Sequence, residues 1–149
     1  MARPTYETES NLKKEKELAD YAALKWNCFM HKQDKYNQFD YVAISNGKVK
    51  AFIELRCRSN EYKKYPTCFI SASKLSSAHA MYQATGLKVL FLVGWKDKTG
   101  FADLIKQYPI TIGGRLDRND SSDIEALAEI PIYDFKIIGK TNEYAHVKG

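Results

Sequence analysis

The run Lys88–Trp95, "KVLFLVGW", restricts the fold more than any other stretch of the chain. It is almost wholly apolar, which suits a central strand buried on both faces, and such a strand needs a layer packed against each side of its sheet. Two helical stretches can supply those layers. "SASKLSSAHAMYQATG" comes just before it, with Ser71 or Ser73 able to cap the start and Gly86 fitting the end. "ESNLKKEKELADYAALKWN" lies near the N-terminus, with Ser10 or Asn11 as cap and Leu12, Ala19, Ala22 and Trp26 recurring at helical spacing. Between the helices, "CFMHK", "FDYVAIS" and "KVKAFIELRCR" read as strands. The last two are joined at Asn46-Gly47, a strong hairpin signal. "CFIS" reads as a brief extended piece. Beyond Trp95, "GFADLI", "YPITIGG" and "IPIYDFKII" add strands, with a short helix around "SSDIEALAE". Met1 to Thr8 reads as an irregular arm. The order predicts a mixed α/β domain, one sheet flanked by helices, and 149 residues suit a single domain over the whole chain.

Composition narrows the class of function. A chain that is 44% hydrophobic and 13% aromatic can build a core, which argues against general disorder. The formal charge of +5 favours an anionic partner, nucleic acid most simply, although a merely basic soluble protein fits the charge equally well. Cys28, Cys57 and Cys68 form no CxxC pair, and no signal peptide is evident, so the chain reads as intracellular, cytoplasmic and reduced. His31, His79 and His146 show no zinc-ligand spacing. No apolar run approaches the roughly 20 residues of a membrane span. The GxxxxGK[ST], GxSxG and Cys-His patterns are absent.

The hairpin carries acids that strands disfavour. Asp40 sits on its first strand and Glu54-Leu55-Arg56 on its second. Glu54 lies among Phe52, Ile53 and Leu55, which predicts burial, and a buried acid needs a cation. Glu54 and Arg56, two residues apart, leave the same face of the strand. Asp40, Glu54 and the Leu55 carbonyl together make an oxygen-rich set suited to Mg²⁺ or Mn²⁺. A surface ion pair between Glu54 and Arg56 or Lys50 is the plainer alternative. On the first helix, Glu15 falls on the inward stripe between Leu12 and Ala19, which is anomalous for an acid.

Register decides between these readings. A two-residue Asn46-Gly47 turn with regular pairing puts Asp40 opposite Ile53, so that Asp40 and Glu54 point to opposite faces. A metal site requires a longer loop, such as Ser45-Asn46-Gly47, or a bulge. After the hairpin, "RCRSNEYKKYP" offers Arg58, Lys63 and Lys64 for flanking phosphates and Tyr62 or Tyr65 for stacking on a base. A solvated loop with its tyrosines folded onto the core fits the same residues.

This arrangement resembles the PD-(D/E)XK nuclease superfamily. Its core is αβββαβ, the restriction-endonuclease-like fold, with an acid at the second strand and E-x-K on the third. Here the matching residues are Asp40 and Glu54-Leu55-Arg56. Some members also use a glutamate from the first helix, and Glu15 occupies that place. Small phage-type members show a basic residue after the triplet, a tyrosine-rich loop and a lysine opening the next helix. Arg58, Tyr62, Tyr65 and Lys74 look similar. The resemblance covers about residues 10–95, leaving 96–149 as a C-terminal extension.

It implies a Mg²⁺- or Mn²⁺-dependent nuclease acting on DNA, with roles in phage or mobile-element recombination, repair or DNA breakdown. Asp40, Glu54, Leu55 and Glu15 would serve the metal, and Lys74 or Arg56 the transition state. Arg56 departs from the family's lysine, and a guanidinium does not act as a base. Either Lys74 supplies the ammonium from the helix, or the site is damaged and the protein only binds nucleic acid. A structural or protein-interaction module is the third reading. Dimers are common in such folds because a duplex has two strands, so the resemblance leaves a homodimer open.

Overall fold

A computed structural model describes residues 9–34, 37–113 and 125–141. The expected N-terminal arm lies outside the described residues, as do the side chains of Ser10 and Asn11, the expected caps, whose positions already fall within α1. In chain order the elements are α1 (Glu9–Trp26), β1 (Phe29–Lys32), β2 (Tyr41–Ser45), β3 (Lys48–Cys57), β4 (Thr67–Ser71), α2 (Ala72–Thr85), β5 (Lys88–Gly94), β6 (Lys98–Asp103), β7 (Ile110–Gly113), β8 (Glu125–Pro131) and β9 (Lys136–Lys140).

Six strands form the large sheet, in the order β1-β2-β3-β5-β6-β9. β3 and β5 run parallel and the other neighbours antiparallel, so the sheet is mixed. β5, the strand expected at the centre, lies between β3 and β6 and buries Val89, Phe91, Leu92 and Val93. α1 covers one face, packing Leu18, Ala19 and Ala22 onto Tyr41, Ile53, Leu55 and Leu92. α2 covers the other, where Leu75 and Ala78 join Phe39, Val89, Phe91 and Val93. Seen from the large sheet, the order is αβββαβ followed by extra C-terminal strands. Leu18 and Tyr21 prove more deeply buried than Leu12, because the helix meets the sheet through its second half.

The remaining strands correct the expectation of one sheet. β4, β8 and β7 make a second, three-stranded sheet with β8 in the middle, packed on the α2 side. The expected helix around "SSDIEALAE" is, from Glu125 onward, strand β8. Its residues favour helices individually, but pairing with β4 and β7 on both edges overrides that preference, and Ala128 and Ile130 alternate into the core. "IPIYDFKII" is likewise no single strand, because a 3-10 turn at Ile132–Asp134 separates β8 from β9. Among the described residues, no helix is long and apolar enough to cross a membrane.

Local signals fix α2 and the hairpin. Ser71, in extended conformation, caps α2 by accepting from the Lys74 N–H, and Gly86 ends it at φ 73° with its N–H donated to Tyr82. Asn46 and Gly47 both take positive φ, 54° and 74°, as a two-residue turn of the primed type requires.

Candidate active site

The hairpin settles its register with a bulge. Ser45 pairs with Lys48 and Ile44 with Val49, as a two-residue turn dictates. The register then shifts, and Ala43 pairs with Ala51, leaving Lys50 extra on β3. Tyr41 therefore faces Ile53, and continuing by one residue brings Asp40 opposite Glu54. Hydrogen bonds fix it there. The Asp40 N–H donates to the Ile53 carbonyl at 3.0 Å, and Asp40 Oδ2 accepts from the Leu55 N–H at 3.0 Å. The extra residue lies in the strand, and the turn stays at two residues.

Glu54 is 1% exposed, one of the few charged or polar residues in the core. Its register partner on β5 is Phe91, so it points to the α2 side. Two cations attend it. Arg56 Nη2 lies 3.4 Å from Oε2, and Lys74 Nζ lies 3.5 Å from Oε1. At that distance Lys74 is an ion-pair partner only. Its hydrogen bond goes to the Gln38 carbonyl, its Nζ stands 5.4 Å from the centre of the Phe39 ring, and the buried Oε1 accepts no hydrogen bond. Burial, reinforced by the charge of Asp40, pushes the Glu54 carboxyl up to about 7, against the pull of Lys74 and Arg56. The Arg56 guanidinium also reaches the Leu55 carbonyl, at 3.3 Å through Nη1.

The structure thus brings Asp40, Glu54, Leu55, Arg56 and Lys74 together. It does not bring Glu15 to them. Glu15 belongs to α1, on the opposite face, where its charge adds to burial in pushing Tyr41 up to about 12 and Cys57 up to about 11. Among the described residues, no three His, Cys, Asp or Glu side chains gather into a metal-ligating group. An acid on the inward side of α1 therefore does not amount to an acid at the pair.

The basic loop divides in the same way. Arg58 continues past β3, its N–H on the Gly94 carbonyl and its Nη2 on the Phe69 carbonyl at 3.0 Å. Tyr62, expected to stack on a base, is instead a core residue. Its hydroxyl donates to the Ile132 carbonyl, its N–H donates to Asp97, and its ring meets Trp95 edge-on at 5.0 Å. Tyr65 is 52% exposed with Lys64 beside its ring, and Lys63 and Lys64 are exposed. Arg58, Tyr65 and Phe69 line a cleft of about 410 Å³ between the two sheets. Gln38 and Phe39, which hold Lys74, had no signal in the sequence, because a backbone carbonyl and a ring face leave no pattern of residue types.

The donor set fits a hard divalent cation. It combines two adjacent carboxylates and a carbonyl, with one carboxylate oxygen buried and lacking a hydrogen bond. Mg²⁺ is commonly held by one or two carboxylates, with water and substrate phosphate completing its shell, so a third protein carboxylate is not required.

No curated protein matches the chain. Among solved structures it is similar to Hjc of Archaeoglobus fulgidus, described as a Holliday junction resolvase from an archaeal hyperthermophile. The identity is 12% and the TM-score 0.47, over 80% of this chain and 92% of that one. The model of one family, described as "Phage putative PDDEXK endonuclease", matches residues 1–138. With that match spanning the Asp40–Glu54 hairpin and both helices, the chain belongs to the phage PDDEXK endonuclease family.

Proposed function

We propose that the protein is a divalent-metal-dependent endonuclease that hydrolyses DNA phosphodiester bonds, serving phage recombination, repair or DNA breakdown. The observation that carries this reading is Glu54: a carboxylate sealed into a central strand, set beside Asp40, with one oxygen unmatched by any hydrogen bond. Asp40, Glu54 and the Leu55 carbonyl would hold Mg²⁺ or Mn²⁺. Such an ion, when bound, supplies a nucleophilic water at neutral pH and positive charge for the phosphoryl oxygens. Lys74 is held by Gln38 and Phe39 at the Glu54 carboxylate and adds a fixed positive charge where the transition state gains negative charge. Arg56 keeps its proton throughout, so it clamps phosphate and takes no part in proton transfer. Arg58, Lys63, Lys64 and Tyr65 would carry the strand away from the site through phosphate contacts and stacking.

Incubation with linear, circular and branched DNA in Mg²⁺, Mn²⁺ or EDTA tests the reading. Products are expected with either metal and none with EDTA. A supercoiled circle that accumulates as a nicked form first indicates one strand cut per encounter, whereas direct linearisation indicates a homodimer cutting both strands. The Arg56 guanidinium, lying on Glu54 and the Leu55 carbonyl, favours one second reading, a DNA-binding protein that does not cleave. Binding without metal-dependent products would establish it.

A further inference from the structure

Both cations at Glu54 balance its charge, but they are held in different ways. Lys74 is anchored by the Gln38 carbonyl, by the face of Phe39 and by its position in the first turn of α2, and its side chain is 30% exposed. Arg56 has a side chain 47% exposed, and its guanidinium spans two oxygens, Glu54 Oε2 at 3.4 Å and the Leu55 carbonyl at 3.3 Å. Both distances are long for charge-assisted hydrogen bonds, which ordinarily lie near 2.7–2.9 Å. These same two oxygens belong to the set assigned above to the divalent ion. The guanidinium and the ion therefore compete for the same atoms, and the half-exposed arginine is the partner free to leave.

We propose that Arg56 is a tethered counter-ion. It occupies the divalent-ion position in the DNA-free protein and swings to a phosphate when DNA arrives, so that DNA binding and ion binding are coupled. This inference rests on the metal-site reading given above. A phosphate offers the planar guanidinium a bidentate partner, a better match than one carboxylate oxygen plus one carbonyl at long range. Its departure frees Glu54 Oε2 and the Leu55 carbonyl together. Coupling of this kind is reciprocal: DNA raises ion affinity by the same factor as the ion raises DNA affinity. The anchored Lys74 cannot make the exchange. The arginine that breaks the E-x-K pattern thereby gains a use that a lysine, a compact point charge without the planar fork, would serve less well.

The test is Mn²⁺ binding to the full chain, measured by calorimetry and by electron paramagnetic resonance, with and without a phosphorothioate-substituted duplex that resists cleavage. The proteins are wild type, Arg56→Gln and, as a charge control, Lys96→Gln. Without DNA, Arg56→Gln is expected to bind Mn²⁺ on the order of tenfold more tightly than wild type, and to gain correspondingly less when DNA is added. Lys96→Gln removes the same charge from the exposed segment just past β5, the strand beside β3, and is expected to leave DNA-free Mn²⁺ affinity near wild type. Equal Mn²⁺ affinity in wild type and Arg56→Gln overturns the tethered-ion idea while leaving the metal site standing. An equal rise in Lys96→Gln also overturns it, since general charge then explains the effect. No Mn²⁺ binding by any of the three, with or without DNA, overturns the metal-site reading itself.

Discussion

A carboxylate set between Ile53 and Leu55 has two ways to remain in a buried strand: it takes up a proton, or it keeps cations beside it. Glu54 does both. Its carboxyl is pushed up to about 7 by burial and by Asp40, while Lys74 and Arg56 pull the other way. Between the ordinary value of 4.5 and about 7, the folded protein holds a proton that the unfolded chain has released. The stability this contributes is complete below the lower value and is lost as pH rises through the upper one. In metal-free protein, Glu54→Gln should therefore gain stability over wild type as pH rises from about 5 to about 8, by on the order of 3 kcal/mol. Thermal unfolding at the two pH values reads this directly, and parallel behaviour of the two proteins would contradict it. Lys74 gives the second prediction at this scale. Lys74→Ala should cut the cleavage rate by on the order of 10²–10³ with DNA binding nearly intact, whereas Arg56→Lys should still cleave. An unchanged single-turnover rate in Lys74→Ala would leave Arg56 as the sole electrostatic partner. Much of this was legible in residue types, since the apolar neighbours of Glu54 announce its burial. The anchoring of Lys74 by the Gln38 carbonyl was not, because it joins distant backbone to a side chain through folding alone.

At the scale of elements, one residue decides whether a site exists. Asn46-Gly47 announces its turn in the sequence, and the turn forms as announced. By itself it would send Asp40 to the face that Tyr41 now occupies. The unpaired Lys50 turns Asp40 to the Glu54 side. Bulges depend on the whole ladder of neighbours, so this one was visible only as a requirement of the metal reading. Deleting Lys50 should remove the bulge yet keep Ala43 paired with Ala51 and Tyr41 with Ile53, so that Asp40 stays opposite Glu54 and Mn²⁺ binding persists. Loss of Mn²⁺ affinity in a deletion variant that keeps its mixed α/β circular dichroism would contradict this register. β8 teaches a related lesson. Glu125 to Glu129 favour a helix residue by residue, and only the two flanking strands, β4 and β7, make them a strand. Capping residues such as Ser71 and Gly86 act within a single turn of chain, which is why α2 was readable to within a residue.

At the scale of the whole molecule, the two helices cover opposite faces of the large sheet, and Glu54 points to the α2 side. With a formal charge of +5, the chain should bind DNA in a strongly salt-dependent manner. Replacing Arg58, Lys63 and Lys64 together with alanine should flatten the plot of log affinity against log salt by roughly 0.9 per phosphate that is no longer neutralised. An unchanged slope would place the DNA surface elsewhere. The central claim is that Asp40 and Glu54 hold a divalent ion for DNA hydrolysis, and the most direct measurement is plasmid cleavage by wild type, Asp40→Asn and Glu54→Gln in parallel. EDTA should stop the wild-type protein and added Mn²⁺ should restore it, while both variants still bind DNA but cut at least about 10²-fold more slowly. Wild-type cleavage that survives EDTA, or variants that cut as fast as wild type, would contradict the account.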